Sequence, residues 1–366
     1  MIAAMPPGEP RQGDEMRRFP AFLFATLAIA GCATPGRDMH AVDRMMERYA
    51  GDVPGASLLV LRDGHPVIQR GYGLADLENG TAATPATNYR LASITKQFTA
   101  ASILLLAQDG AIGLDDKIRA WMPALPPATD GMTIRHLLTH TSGLIDYEDV
   151  IPGGTTGQLR DADVLSLLAT QDRTYFVPGT GYRYSNSGYA LLALIVERVS
   201  GKSFQAFLHE RIFQPLGMQH TLAYVREEGA AVADRAYGYS EIDGRWQRTD
   251  QSLTSAVLGD GGIYSSIDDL ARWDAALYDD RLLSDASRRL AFTGHTATDD
   301  PDVTYGFGWR ITGDTLWHSG ESIGFRNVIV RYPTQHVTVV LLSNRDDPEP
   351  YRTAQSIARL FVSEPE

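Results

Sequence analysis

The chain is 366 residues long, 43% hydrophobic and 21% charged, which suits a globular protein with one sizeable core or two modest ones and excludes collagen-like, fully disordered and small disulfide-framework architectures. Its 33 basic and 45 acidic side chains leave a net charge of -12, so no positive field exists to gather a phosphate backbone and nucleic acid is not expected as a partner. No run of about 20 apolar residues occurs, which argues against a membrane-spanning bundle.

The first element in chain order is a leader. Residues 19–30 form a mostly apolar run of 12, behind Arg17 and Arg18 and ahead of Gly31 and Cys32. A positive end, a short apolar segment and small residues at the cut are the parts of a secretory signal, too short for a permanent span. Ile29-Ala30-Gly31-Cys32 resembles the bacterial lipoprotein processing box. That resemblance implies loss of residues 1–31, acylation of Cys32, and an exported lipoprotein held at the periplasmic face of the cell envelope; several lipid chains on one residue suffice for stable attachment. A chance cysteine beside a plain signal peptide is the alternative. Cys32 is the only cysteine, so neither an intrachain disulfide nor a thiolate metal cluster can form. Cleavage removes Arg11, Arg17 and Arg18 together with Glu9, Asp14 and Glu15, so the mature charge stays at -12.

Residues 32–366 read as one domain. Met39, Val42, Met45, Met46 and Tyr49 recur at helical spacing and predict an amphipathic helix over 37–50. Strands are predicted at 56–61 and 66–72, with Asp63-Gly64 as the turn of a hairpin. A buried helix follows over 93–108, stopped by Asp109-Gly110. Helical pieces at 162–170, 189–199 and 204–212 then alternate with Pro- and Gly-rich loops. Strand signals return at 305–311, 326–331 and 336–342, ahead of a closing helix over 351–362. The two chain ends thus share one layer. The predicted class is α+β: an antiparallel sheet flanked by terminal helices, built from about 37–104 and 255–362, with a mainly helical lobe at about 105–254 and a cleft between them.

Three short stretches carry chemistry. Ser93 and Lys96 stand nearly one helical turn apart, so hydroxyl and amine can meet on one face. Lys96 is one of three lysines and the only charged residue from 91 to 108; desolvation there favours the neutral amine, a base able to accept a proton. The alternative is an N-cap serine with a lysine that snorkels to water. Tyr184-Ser185-Asn186 precedes the helix expected near Tyr189, so that a phenol and an amide can point into a cleft, although Asn186 also suits a turn or cap. His318-Ser319-Gly320 follows a strand-like stretch ending at Trp317, where backbone amides can serve an oxyanion and glycine permits close approach.

In this order the three stretches resemble the motifs of the penicillin-recognising serine hydrolases. The similarity is greatest to the class C β-lactamase-like branch, which also holds D-alanyl-D-alanine carboxypeptidases, D-amino-acid peptidases and family VIII esterases. LLTHTSGL from 137, PGTGYRYSN from 178, PLGM from 215, GDGGIYSS from 259 and YGFGW from 305 are similar too. The resemblance spans residues 42–362 and implies a β-lactamase/transpeptidase-like fold. It implies Ser93 as nucleophile, Lys96 as its proton acceptor, Tyr184 as proton shuttle and Asn186 as holder of the acyl amide or carbonyl. His318, Ser319 and Gly320 would bind substrate, and the backbone amides of Ser93 and Glu321 would form the oxyanion hole. No cofactor or metal is implied.

One departure shapes the substrate. Class C β-lactamases resemble one another in carrying lysine where this chain has His318, and histidine is mostly neutral at pH 7. Esters or D-amino-acid peptides and amides are therefore the expected substrates, through a covalent acyl-enzyme. A β-lactamase, or a module that binds β-lactam or cell-wall peptide with little turnover, is the alternative. His136 and His140 lack the glutamate of a zinc-peptidase helix, since Leu137 stands there, and are expected to be structural. Gly259, Gly261 and Gly262 lack dinucleotide-fingerprint spacing and suggest close backbone approach; Ser266 with Asp269 suggests a helix cap.

Overall fold

The computed structural model describes residues 35–229 and 231–362; the leader and Cys32 lie outside the described residues. The N-terminal hairpin forms as expected from its turn. β1 (Ala56–Arg62) and β2 (His65–Tyr72) pair antiparallel around Asp63 and Gly64, which have φ of 52° and 76°, the two positive values that a tight hairpin matching strand twist requires. Six further strands follow late in the chain: β3 (Thr296–Ala297), β4 (Thr304–Tyr305), β5 (Arg310–Thr312), β6 (Thr315–Ser322), β7 (Phe325–Tyr332) and β8 (Val337–Ser343). The antiparallel sheet runs β3-β4-β5-β6-β7-β8-β1-β2, closed in its middle by Ala56 opposite Ser343.

The longer helices are α1 (Pro35–Met46), α2 (Thr95–Gln108), α3 (Asp161–Ala169), α4 (Asn186–Ser200), α5 (Ile267–Ala276) and α6 (Tyr351–Ala358). Both faces of the sheet are covered, so its central strands are apolar on both sides. Leu58, Val60, Val330, Val339 and Leu341 meet Val42 and Met46 of α1 and Ala354 and Ile357 of α6. Leu59, Leu61, Ile329, Val340 and Leu342 instead face the larger core, which takes in Phe98 of α2, Leu191 of α4 and Trp273 of α5. Each such side chain, taken fully from water, contributes about 1.5–3 kcal/mol before the entropy of ordering is set against it.

Several elements differ from expectation. The first helix ends at Met46 and tightens into a 3-10 turn at Glu47–Tyr49. The strand expected over 305–311 is broken into β4 and β5, which pair with each other, Tyr305 opposite Arg310. The cause is backbone crowding: a Cβ on Gly306 would sit 2.3 Å from the Ala291 carbonyl oxygen, and one on Gly308 (φ +78°) 2.7 Å from that of Lys96. The chain must turn there to pass both. α4 begins at Asn186 rather than near Tyr189, and the piece expected over 204–212 is α-helical at Phe204–Leu208 but continues as a π turn at His209–Phe213. His318-Ser319-Gly320 lies within β6, not beyond its end.

Candidate active site

Ser93 lies in a 3-10 turn, Ala92–Ile94, that runs directly into α2. Ala92 has φ +49°, the left-handed region that costs a non-glycine residue about 1–3 kcal/mol, so the packing around it holds the serine in a strained entry. Gly320 supplies part of that packing. A Cβ there would fall 2.0 Å from the Leu91 carbonyl oxygen, and only glycine lets β6 lie against the turn.

Lys96 does not snorkel. It is 0% exposed, and its Nζ donates to Ser93 Oγ at 3.0 Å, Asn186 Oδ1 at 2.9 Å and the backbone carbonyl of Asp260 at 2.9 Å. All three acceptors are formally neutral. The Asp260 side chain stands close behind. Burial pushes its carboxyl up to about 7, against the pull of Lys96 and Arg90, and Tyr147 donates to it at 3.1 Å.

The capping role falls to Ser185, whose hydroxyl accepts the Gly188 N–H at 3.2 Å. Asn186 is thereby freed: Oδ1 serves Lys96 while Nδ2 donates to Glu148 at 3.2 Å, which orients the amide. Tyr184, one residue ahead of the cap, places its ring centroid 4.9 Å from Lys96 Nζ, and its buried hydroxyl has no hydrogen-bond partner among the described residues. His140 braces this loop by accepting the Ser185 N–H at Nδ1, 3.1 Å, and by packing 4.3 Å from the Tyr184 ring. Burial, with Lys96 nearby, drives its pKa well below the ordinary histidine value, so it is neutral. His136 caps its own helix, accepting the Thr133 N–H at 3.3 Å. The two histidines serve separate structural ends, as the missing glutamate suggested.

His318 is 1% exposed, and burial, with Arg310 beside it, drives its pKa well below 6.5. A neutral ring that donates from Nδ1 to the Ser319 carbonyl at 2.6 Å must accept at Nε2 from the Tyr305 hydroxyl, 3.0 Å away. It therefore offers substrate no positive charge. Arg310 does, and the sequence reading missed it. Its guanidinium stands 5.4 Å from the centroids of both Tyr184 and Trp317, and it lines a cavity of about 260 Å3 together with Ser93, Tyr184, Asn186, His318 and Glu321. Only the pairing of β5 with β6, Arg310 opposite Trp317, reveals this; a lone arginine after YGFGW carries no local signal. A second cavity of about 350 Å3 shares Ser93, Asn186 and Glu321 and is lined further by Arg90, Glu148 and Asp260. Ser93 thus stands between a chamber that holds Arg310 and one lined by Arg90, Glu148 and Asp260, with Glu321 at both.

A serine hydroxyl on a buried amine, with a phenol, an oriented amide and strand-edge amides around it, defines a serine hydrolase built for acyl transfer. The chain belongs to the β-lactamase family, whose model matches residues 40–364. It is 34% identical to penicillin-binding protein 4* of Bacillus subtilis over 316 residues, 81% of this chain and 70% of that protein. To the D-aminopeptidase of Gluconobacter oxydans it is 30% identical over 326 residues, 87% of this chain but only 60% of the relative's length. The crystal structure of a penicillin-binding protein from Bacillus halodurans superposes with a TM-score of 0.78 at 29% identity, over 87% of this chain and 99% of that one. The fold is that of β-lactamases and transpeptidases.

Proposed function

We propose that the protein hydrolyses D-amino-acid peptides or amides and related esters, with Ser93 as the acylated nucleophile. The observation that carries this reading is the 3.0 Å contact between Ser93 Oγ and an amine whose other partners are neutral. Lys96, as the neutral amine that donates to Asn186 and to the Asp260 carbonyl, accepts the Ser93 proton as Oγ bonds to the substrate carbonyl carbon. The backbone N–H groups of Ser93 and Glu321 hold the oxyanion, and Asn186 holds the acyl amide. The C–N or C–O bond to the leaving group then breaks, and the leaving group takes up the proton by way of Tyr184. A water, deprotonated through the same phenol and amine, attacks the acyl carbon; the Oγ–C bond breaks, Ser93 Oγ takes that proton back, and the acid is released. The D-aminopeptidase relative supports a D-amino-acid substrate.

Arg310 supports a substrate with a carboxylate on the leaving-group side, because it places a permanent cation where neutral His318 places none. One preparation assayed on D-Ala-D-Ala peptides, p-nitrophenyl esters and a chromogenic cephalosporin tests the reading. Turnover of the peptides and esters, abolished by Ser93→Ala, is expected. Arg310→Ala should raise KM for the free-carboxylate peptide about tenfold or more and leave the esters nearly unchanged. Stoichiometric labelling without turnover on any substrate would turn the reading into a binding module.

Attachment through an acylated Cys32 is proposed as well, on the strength of the leader and its processing box. Cys32→Ser should move the protein from the membrane to the soluble fraction; an unchanged distribution would end that proposal.

A further inference from the structure

The carbonyl that anchors Lys96 is set in place from the helical lobe. Residues 252–262 run between lobe and body, zipped to the lobe where the Leu159 N–H donates to the Leu253 carbonyl at 2.8 Å. Asp161, the first residue of α3, then clamps the next stretch with both carboxylate oxygens: Oδ2 accepts the Leu258 N–H at 2.9 Å and Oδ1 the Gly259 N–H at 3.0 Å. From the body side, Thr99 Oγ1 donates to the Gly259 carbonyl at 2.7 Å, and Lys96 Nζ to that of Asp260 at 2.9 Å. Clamp and anchor are thus one or two residues apart on a segment pressed against α4, where a Cβ on Gly259 would lie 2.3 Å from the Tyr189 carbonyl oxygen.

We propose that Asp161 is a positioning residue for Lys96: its ionised carboxylate sets the register of residues 258–260, and protonation loosens the anchor that aims the amine at Ser93. The inference rests on the reading of Lys96 as the base for Ser93. The groups facing Asp161 are Asp260 on the clamped segment and Glu197 on α4, both of which disfavour its charge. Arg160 precedes it but donates to Glu228 at 2.8 Å, and Lys96 and Arg90 act from beyond Asp260. Burial raises the Asp161 carboxyl to about 7, held back by the two N–H bonds. A cavity of about 480 Å3 between Asp161, Glu197 and Glu228 gives protons access without passing Ser93.

The test follows the rate of Ser93 labelling by a fluorophosphonate, and kcat and KM for a p-nitrophenyl ester, from pH 5.5 to 9. Asp161→Asn keeps one acceptor and cannot ionise. It should slow labelling and kcat about tenfold or more above pH 8, leave KM within about twofold, and lack the acid limb expected of the wild type near pH 7. Wild-type rates in the variant overturn the proposal, and so does an acid limb that persists, which would assign the titration to Asp260. A purely structural role would lower the labelled fraction or Tm without moving the pH profile. Should Asp161→Asn fail to fold, Thr99→Val, which removes the second tether of Gly259, must slow labelling at least about threefold; an unchanged rate overturns the proposal. Failure of the wild type to label at Ser93 would instead remove the catalytic reading itself.

Discussion

The decisive chemistry lies in what Lys96 touches. A hydroxyl, an amide oxygen and a backbone carbonyl surround the amine, and none of them carries a full charge. The Tyr184 ring faces this amine, and its buried hydroxyl has no hydrogen-bond partner among the described residues, a costly state for a phenol unless it takes part in the reaction. Tyr184→Phe retains the ring that packs on His140 and loses only the oxygen. It should lower kcat by about 10²–10⁴-fold, the range of a positioned acid-base group, with Tm unchanged within about 2 °C; wild-type kinetics would refute the proton relay. At this scale the serine and lysine were legible because three residues along a helix bring two side chains to one face. Asn186 was half legible: its type suited a cap, and only the structure gives the cap to Ser185. Arg310 was not legible, because its role comes from a strand neighbour.

Elements meet at the site through glycines. β6 reaches the serine turn over Gly320, and the β4–β5 turn reaches α2 over Gly308. Ala at 320 would force backbone atoms apart, and overpacking of that kind costs about 1–3 kcal/mol or more. Gly320→Ala is therefore expected to lower the unfolding free energy by that amount, read as a fall in the urea midpoint, and to remove Ser93 labelling. Gly153→Ala, at a site with no atom within 4 Å and no positive φ, should do neither. Equal midpoints for the two variants would mean that β6 does not need its close approach. The split of the expected strand at 305–311 has the same origin. A run of aromatic and apolar residues signals extended chain, while the surfaces that Gly306 and Gly308 must pass come from distant segments.

For the whole molecule, burial of ionisable groups sets opposing slopes of stability with pH. Asp161 and Asp260 are raised from 3.8 to about 7, so the folded state holds their protons more tightly than the unfolded chain. Their contribution is complete below about pH 4 and is lost as pH rises towards 7. His140 and His318, lowered by burial, act with the other sign and cost stability as pH falls below 6.5, each by up to about 1.4 kcal/mol per unit. Asp260→Asn removes one acid term. Its Tm relative to the wild type should be higher at pH 8 than at pH 4; a pH-independent difference would show that the carboxyl titrates normally.

The N-terminal hairpin with its turn at Asp63-Gly64, the strands around 326–331 and 336–342, the closing helix and the pairing of Ser93 with Lys96 were present in the linear pattern. Each depends on periodicity or on contacts between near neighbours, which a chain carries within a few residues. The neutrality of His318, the cation at Arg310 and the clamp of Asp161 on residues 258–260 were decided by tertiary structure alone. They depend on desolvation and on partners from other segments, such as Asp161 against Gly259, 98 positions apart, and no local spacing encodes either.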